Sequence, residues 1–347
     1  MIVHLNTTHN IDDPRIYRRI TRFFQIKKID SVLIGRASSA LKEKCCHAFP
    51  KLIENNRAML IIYNLFFALK HRNKEVFFIH DIELLLWVPI LRLMSKTVIY
   101  DVHENYRDLI PSRPWVPNIL KLFLKICIIG YEKFFCFFCN FISCPTKHIR
   151  KNFADKKTFI LPNYPLKKDY ADFKKNKDGK SKINVTYIGS ISNEKGIQNI
   201  IELAKSCLEL NMISFHLAGK VSNIELNDFK ASLPANTVYL GELNHEDILR
   251  LLSKSKYGLC MLPSKKAYQE SMPLKLFEYI NSETIVIASK FIGWKFVEQN
   301  NHGALFDQNN VLSIKLFLQK DNFILEKNKK YYFDDYAEQF IKHINYK

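Results

Sequence analysis

The chain has 347 residues, of which 47% are hydrophobic and 25% are charged. This length and composition exclude a disordered chain and suffice for two α/β domains of ordinary size. The net charge of +18 is uneven, because residues 1–180 hold 32 Lys and Arg against 16 Asp and Glu. Such a basic half predicts an anionic partner, either a membrane surface, a nucleic acid or a phosphorylated substrate.

Two features bear on the compartment. Eight cysteines are scattered without a second ligand pair at zinc-like spacing, so we expect reduced, buried thiols in a cytoplasmic protein. The most apolar stretch, residues 118–143, is interrupted by Lys121, Lys125, Glu132 and Lys133, which leaves no part long enough to span a membrane. We predict a buried core or interdomain helix there, with an interfacial membrane helix as the alternative.

The first half alternates short apolar strands with helices. Five strands are predicted before residue 165, at Val3–Leu5, Ser31–Ile34, Val76–Ile79, Thr97–Tyr100 and Phe141–Cys144. The first helix is predicted at Pro14–Gln25. This βαβ rhythm indicates a parallel sheet covered by helices. The polar, Lys-rich stretch that follows is typical of a linker.

A second βαβ series opens at Ile183. Its predicted strands are Ile183–Ile188, Ser214–Ala218, Val238–Leu240, Gly258–Leu262 and Ile285–Ala288, and its main predicted helices are Ile197–Leu210, Asp247–Ser253 and Leu274–Asn281. A last helix is predicted at Asp334–Tyr346. The predicted domains are therefore residues 1–165, a linker at 166–182, residues 183–332 and a C-terminal helix at 333–347.

Two carboxylates, Glu270 and Glu278, flank the predicted start of a helix at Leu274. The free N–H groups and positive dipole end of a helix N-terminus attract phosphate. A carboxylate accepts hydrogen bonds from paired sugar or ribose hydroxyls. The spacing favours a nucleotide-sugar pocket, and the alternative is an ordinary helix start with solvated acids.

A glycine-containing turn follows the predicted strand at Ile183–Ile188, in the segment that runs from Tyr187 to Gly196. Gly189 allows the backbone to approach a ligand closely. Lys195 stands just before the next helix, where its ammonium group can reach a diphosphate. The alternative is a plain turn between a strand and a helix.

A polar segment of the first half is a further candidate. His103 and Glu104 follow a predicted strand, and sites form just past the carboxyl ends of parallel strands. A satisfied loop histidine is the alternative for His103.

Near the N-terminus, four arginines at positions 15, 18, 19 and 22 fall on one face of the first predicted helix. They predict attraction to anionic lipid headgroups or to a polyprenyl diphosphate, or else a solvated basic face.

Together these segments resemble glycosyltransferase family 4, whose members have the GT-B fold. The Glu-seven residues-Glu motif, the Gly…Lys-Gly loop, the Asp-X-His-Glu segment ending at Glu104 and the Asp-X-Arg-Ile loop beginning at Asp13 occur in the family's order. The resemblance implies two Rossmann-like α/β domains facing a cleft, with a C-terminal helix that crosses back to the first domain. One departure is Ser190, because many family members carry an arginine directly after the glycine.

The resemblance also implies residue roles. Glu278 binds the ribose hydroxyls, and Lys195 holds the diphosphate together with the N–H groups near Leu274. Glu270 holds the donor sugar and its developing positive charge, and His103 contacts that sugar. The remaining assignments are donor binding for Gly189, Ser190 and Leu240, and the acceptor or membrane side for Asp13, Arg15, Arg18 and Glu104.

The implied activity is that of a retaining glycosyltransferase. It moves a hexose or N-acetylhexosamine from a UDP- or GDP-linked sugar to a saccharide acceptor linked to a polyprenyl diphosphate, in capsule, O-antigen or exopolysaccharide synthesis. No cofactor or metal is expected beyond the nucleotide sugar, since the chain lacks an Asp-X-Asp motif. We expect a cytoplasmic protein, peripheral on the inner face of a bacterial plasma membrane, without a nucleic-acid partner.

Two alternatives remain open. A GT-B sugar-nucleotide epimerase would release a rearranged sugar without an acceptor. A basic nucleic-acid-binding protein would show salt-dependent binding without nucleotide-sugar turnover, but it would leave Lys195 and the glutamate pair unexplained.

Overall fold

A computed structural model describes residues 1–37, 43–110, 116–176, 183–325 and 329–344. The chain divides into two compact units. Unit 1 comprises Met1–Leu166 together with Phe333–Lys347, and unit 2 comprises Lys167–Tyr332. Each unit is built on its own parallel β-sheet.

Unit 1 contains a seven-stranded sheet in the order β3-β2-β1-β4-β5-β6-β7. Its strands are β1 (Ile2–Leu5), β2 (Ser31–Gly35), β3 (Cys46–Ala48), β4 (Val76–Ile79), β5 (Thr97–Asp101), β6 (Phe141–Cys144) and β7 (Thr158–Ile160). Its α-helices are α1 (Arg22–Ile26), α2 (Arg57–Lys70), α3 (Val88–Leu93), α4 (Tyr106–Leu109), α5 (Asn118–Phe138), α6 (Lys147–Arg150) and α13 (Asp334–His343). The strand order reverses between β1 and β4, which is where sites form in open parallel sheets.

The central strands of unit 1 are apolar because both faces of the sheet are covered. Every residue of β1 and β4 is buried, as expected for strands of a parallel sheet between helices. On one face, Ala337 and Phe340 of α13, together with Phe333 just before it, are buried in the cluster that contains Phe23 and Phe78. The C-terminal helix is therefore part of the core of unit 1.

Unit 2 contains a six-stranded parallel sheet in the order β10-β9-β8-β11-β12-β13. Its strands are β8 (Ile183–Ile188), β9 (Ile213–Ala218), β10 (Thr237–Tyr239), β11 (Tyr257–Cys260), β12 (Ile285–Ser289) and β13 (Gly303–Phe306). Its α-helices are α7 (Ile197–Ser206), α8 (Leu226–Ser232), α9 (His245–Ser253), α10 (Leu274–Asn281), α11 (Phe296–Gln299) and α12 (Val311–Lys320). Here the order reverses between β8 and β11.

The linker prediction needs a correction. Residues 177–182 lie outside the described part of the chain, but residues 167–176 pack within unit 2. Tyr170 is buried, and the Lys175 ammonium group donates to the carbonyls of Leu252 and Ser255 and to the Thr284 hydroxyl. A Lys-rich composition alone does not reveal these acceptors, which lie far away in the sequence.

The first helix also differs from the prediction. Residues Ile16–Thr21 form a π-helix that leads into α1, so the face expected for a regular α-helix does not form. Arg19 is buried, donates to the carbonyls of Leu161 and Pro162, and lies 4.8 Å from the centroid of the Phe333 ring. The predicted four-arginine basic surface is therefore wrong.

The prediction of a buried core helix at residues 118–143 is also wrong. Only Glu132 and Cys136 of α5 are buried, and much of its apolar surface faces solvent. Among the described residues, no helix combines the length and the apolar character needed to cross a membrane.

Candidate active site

In unit 2, the turn after β8 requires glycine. Gly189 has φ of +112°, a backbone conformation that residues with a side chain rarely adopt. Gly219, after β9, approaches so closely that a Cβ atom there would lie 1.9 Å from the Gly189 carbonyl oxygen. Gly189 and Ser190 are both exposed, and Tyr187 donates to the Ser190 carbonyl at 2.6 Å. The predicted donor loop therefore has a fixed, accessible backbone beside the reversal point of the sheet.

Two lysines lie at the same edge. A Cβ atom at Gly196 would lie 2.1 Å from the Met261 carbonyl oxygen, so the loop that carries Lys195 packs against the chain just after β11. The Lys275 ammonium lies 3.8 Å from the centroid of the Tyr187 ring, and it is the nearest atom to a Cβ built on Gly189, at 3.1 Å.

Both ammonium groups affect the pKa of the Cys260 thiol, at the last residue of β11. Burial raises the pKa of Cys260 to about 12, and the charges of Lys275 and Lys195 lower it in part. Two positive charges thus lie near the end of β11 in a region that attracts anions. Lys275 was not among the predicted site residues, although its position beside the helix start at Leu274 was a signal for it.

Helix α10 begins at Leu274, as predicted, and Tyr279 fixes its position. The buried Tyr279 hydroxyl accepts from the Ile188 N–H at 3.0 Å and donates to the Leu259 carbonyl at 3.1 Å, which ties α10 to β8 and β11. The ring packs on Gly258, where a Cβ atom would lie 2.5 Å from it. These contacts fix the N-terminus of α10, which carries Lys275 in its first turn and has no side-chain cap.

The two glutamates differ in their surroundings. Glu278 is only 8% exposed, and its charge adds to burial in raising the pKa of Tyr170. Glu270 is half-buried in a loop that Gly293 and Trp294 support. The Gly293 N–H donates to the Gln269 carbonyl at 2.9 Å, and the Trp294 indole donates to the Ser271 carbonyl at 2.6 Å.

This support is close enough to exclude a side chain at Gly293. A Cβ atom there would lie 2.8 Å from the Gln269 carbonyl oxygen and 3.2 Å from the Glu270 carboxylate. Leu240 follows β10 at the carboxyl edge of the same sheet, where its N–H donates to the Leu217 carbonyl. Unit 2 thus brings the predicted donor residues to one edge of the sheet.

In unit 1, the carboxyl ends of β1, β4 and β5 carry a hydrogen-bonded cluster of His4, His80, Asp101 and His103. One Asp101 oxygen lies 3.1 Å from His80 Nδ1 and 2.9 Å from His103 Nε2, and His80 Nε2 lies 3.0 Å from His4 Nδ1. Ser143 donates to the other Asp101 oxygen. His103 Nδ1 is buried and has no hydrogen-bond partner among the described residues.

The charges determine the protonation of this cluster. Despite burial, the Arg15 guanidinium and His103 hold the pKa of Asp101 well below its usual range. Burial and the Arg15 charge lower the pKa of His103 to about 3, so the imidazole is neutral near pH 7. If His103 donates from Nε2 to the Asp101 carboxylate, Nδ1 is left as an acceptor for a hydroxyl group.

The other candidates of unit 1 are partly structural. Arg15 donates to the carbonyls of Val102 and His103 at 2.6 and 2.9 Å, so it holds the segment after β5. Asp13 accepts from the N–H groups of Arg15 and Ile16 and lies 3.0 Å from His9 Nδ1. Despite burial, the contact with His9 and the hydrogen bond from the Ile16 N–H lower the pKa of Asp13. Arg18 is half-buried and Glu104 is exposed, and their acceptor role stays a prediction.

His80, Asp101 and His103 also have the ligand types of a metal site, with facing atoms within 4.8 Å of one another. In the described structure these atoms pair with one another, and Arg15 lies 4.0 Å from Asp101. A hydrogen-bonded network beside a fixed guanidinium charge accounts for the same geometry. The expectation that no metal is required stays a prediction.

Comparison with known families identifies the class. The family model described as "Glycosyl transferases group 1" matches residues 168–340. This segment includes all of the donor-side residues described above. Residues 168–340 thus resemble a glycosyltransferase group 1 domain, and the enzyme class of the chain is glycosyltransferase. No curated protein sequence gives a significant match to the chain.

Solved structures extend the likeness to the whole fold. HepE of Anabaena, solved in complex with UDP and glucose, has a TM-score of 0.68 at 12% identity and covers 99% of both chains. WaaG, a glycosyltransferase involved in lipopolysaccharide biosynthesis, has a TM-score of 0.67 at 13% identity, covering 99% of this chain and 95% of its own. A UDP-forming α,α-trehalose-phosphate synthase from Burkholderia xenovorans has a TM-score of 0.67 at 11% identity, covering 99% of both chains. The predicted GT-B fold with two Rossmann-like domains is confirmed.

Proposed function

We propose that the protein is a retaining, metal-independent family 4 glycosyltransferase. It transfers a hexose or N-acetylhexosamine from a nucleotide-diphosphate sugar to a lipid-linked saccharide during surface polysaccharide synthesis. The observation that carries this proposal is the cationic site at the end of β11. Lys195, Lys275 and the N-terminus of α10 provide positive charge and N–H donors for a diphosphate leaving group.

We propose the remaining roles from the resemblance to family 4. Glu278 lies on the second turn of α10, and its carboxylate accepts hydrogen bonds from two ribose hydroxyls. Glu270 binds the donor sugar and stabilises the positive charge that develops on it. His103 accepts a hydrogen bond from that sugar through Nδ1. Uridine is the favoured base, because the HepE structure similar in fold contains UDP.

A donor-binding experiment tests the proposal first. The melting temperature of the protein is measured with UDP, GDP, ADP and CMP sugars, since a ligand that binds the folded state raises it. We expect a rise with one nucleotide class, and its loss in Glu278→Ala. Glu202→Ala on the exposed side of α7 is the matched control. A rise that is the same in Glu278→Ala contradicts the assigned ribose contact, and the absence of any rise contradicts the donor site.

A transfer experiment tests the acceptor. Release of the nucleoside diphosphate is followed with a saccharide linked to a polyprenyl diphosphate, with the same saccharide free in solution, and without an acceptor. We expect release to depend on the lipid-linked saccharide. Formation of an isomerised sugar in the absence of an acceptor would instead identify an epimerase.

A further inference from the structure

Helix α5 presents an apolar stripe to solvent. Six large apolar side chains of the helix are between 60% and 87% exposed, namely Ile119, Leu122, Phe123, Ile126, Phe134 and Phe137. At 100° per residue they fall within an arc of about 120°, and the stripe is about 27 Å long. An exposed apolar surface of this extent on a folded domain indicates an interaction site.

Helix α5 buries its carboxylate and exposes apolar side chains, unlike an ordinary surface helix. Its one carboxylate, Glu132, is buried and accepts a hydrogen bond from Tyr100 at 3.2 Å. The opposite side, with Phe134 and Phe137, faces solvent. Burying a carboxylate while exposing phenylalanines opposes the hydrophobic effect in water. The arrangement is favourable when the outer face meets an apolar phase.

A neighbouring helix continues the stripe. Leu93, at the end of α3, is 87% exposed and borders a groove of about 700 Å³ together with Phe137. Arg92 and Lys157 line the same groove, and the Lys157 ammonium lies 5.7 Å from the centroid of the Phe137 ring. We call the exposed side of α5 together with Leu93 the apolar face.

The charged side chains within the stripe and in the groove at its end are all basic. Lys133 is exposed within the stripe, and Arg92 and Lys157 stand at its end. In α3 and α5, all of whose residues are described, the sole carboxylate is that of the buried Glu132. Exposed apolar side chains bordered by Lys and Arg are typical of helices that lie in the headgroup region of an anionic bilayer.

We propose that the apolar face of unit 1 docks the protein on an anionic lipid bilayer, with α5 lying in the plane of the interface. This inference rests on the proposed function, since an acceptor carried on a lipid is reached from such a surface. It assigns the membrane contact to α5 instead of the N-terminal arginines, of which Arg15 and Arg19 hold backbone carbonyls.

A second copy of the chain is a poorer occupant. A two-fold dimer brings the same patch of both subunits together. It would then place Lys133, Arg92 and Lys157 near their own counterparts without carboxylates from α3 or α5 to pair with. An anionic bilayer offers both an apolar phase and negative charge.

The test is sedimentation of the full-length protein with vesicles. One set contains phosphatidylcholine alone, and the other contains equal parts of phosphatidylcholine and phosphatidylglycerol. We expect binding to the mixed vesicles that weakens in about 1 M NaCl, where the Debye length is about 3 Å. Leu122→Glu should bind about tenfold more weakly, because it removes one inserted leucine and adds a charge.

A matched control makes the result specific. Leu312 is 64% exposed on α12 of unit 2, close to the 66% of Leu122, so Leu312→Glu makes the same change away from the apolar face. We expect it to bind vesicles like the unmodified protein. Equal weakening by both variants, or no binding to mixed vesicles, overturns the proposal.

Two further measurements distinguish a bilayer from a second copy of the chain, and membrane docking from donor binding. One outcome is that light scattering shows a dimer for the unmodified protein and a monomer for Leu122→Glu, while the unmodified protein does not bind vesicles. The occupant of the apolar face is then a second copy of the chain, and the proposal is refuted. Donor binding, measured by the same rise in melting temperature, should be equal in Leu122→Glu and the unmodified protein. Loss of vesicle binding with intact donor binding therefore concerns the apolar face and leaves the proposed function standing.

Discussion

Replacement of Lys275 by methionine tests the cationic site most directly. Methionine keeps an unbranched apolar side chain and removes the charge beside Gly189. The Lys275 ammonium also lies 3.8 Å from the centroid of the Tyr187 ring, a cation–π contact worth about 1 kcal/mol when partly exposed. We therefore expect a small loss of stability and a larger loss of diphosphate affinity.

The size of the affinity loss follows from the charges. Two unit charges about 4 Å apart interact by about 4 kcal/mol at an effective dielectric constant of about 20. Dehydration of both ions and the remaining charge of Lys195 reduce this toward the range of about 1.5–3 kcal/mol for hydrogen bonds to charged groups. The expected increase in Kd for the nucleoside diphosphate is therefore about 10- to 150-fold.

The assay is calorimetric titration with the nucleoside, its monophosphate and its diphosphate. If Lys275 contacts the diphosphate, its removal weakens binding of the diphosphate most, of the monophosphate less and of the nucleoside not at all. The nucleoside should therefore bind Lys275→Met normally. Lys254→Met is the control, because Lys254 is exposed and precedes β11 at the opposite edge of the same sheet. An unchanged diphosphate affinity in Lys275→Met, or an equal loss for all three ligands, would refute the assignment.

Four further predictions address the support of the site. Gly293→Ala should lower kcat at least about tenfold and leave diphosphate affinity intact, because the added Cβ displaces the Glu270 loop. A titration that shows weaker diphosphate binding would contradict this prediction. Tyr279→Phe should cost about 3 kcal/mol in urea unfolding, since it leaves two buried backbone groups unpaired, and an unchanged midpoint would contradict the anchoring role. His103 has a folded pKa of about 3, below its ordinary 6.5. Stability is therefore lost as pH falls from 6.5 toward 3, and His103→Gln should flatten that slope by about 1.4 kcal/mol per pH unit in urea unfolding at several pH values. Chelation with EDTA should leave transfer activity intact, and a loss restored by Mg²⁺ would show that a metal is needed.

The elements that sequence predicted best are those with a strong local signal. Helix α10 runs from Leu274 to Asn281 as predicted, because Pro273 favours a helix start immediately after it and the apolar residues repeat at helical spacing. Strand β8 likewise matches its apolar run. Three strands were not predicted, namely β3, β7 and β13. They are three or four residues long, and pairing with a neighbour in the sheet defines them more than their own composition does.

Site residues were predictable from the sequence where a chemically suitable side chain lies in a recognisable local pattern. Gly189 and Lys195 lie in the turn after a strand, which is a local pattern that the fold of unit 2 places at the reversal point. The fate of Arg19 was not predictable, because its acceptors, the carbonyls of Leu161 and Pro162, are more than 140 positions away in the chain. A buried guanidinium and a solvated one look alike in a sequence, since only distant partners decide between them.

Helix α5 shows the same limit for apolar residues. Leucine, isoleucine and phenylalanine cover the helix except for a narrow stripe with Lys121, Lys125 and Glu132, so its hydropathy pattern does not say which apolar side packs on the sheet. In the structure the carboxylate of Glu132 is buried and accepts from Tyr100 of β5, on the side of the helix where Tyr131 and Phe135 pack on the core. Once Glu132 points inward, Phe134 and Phe137 must point outward, because successive helical residues are 100° apart. Packing of one side on the core thus leaves apolar side chains of the other side in water, and the proposed bilayer would make their exposure favourable.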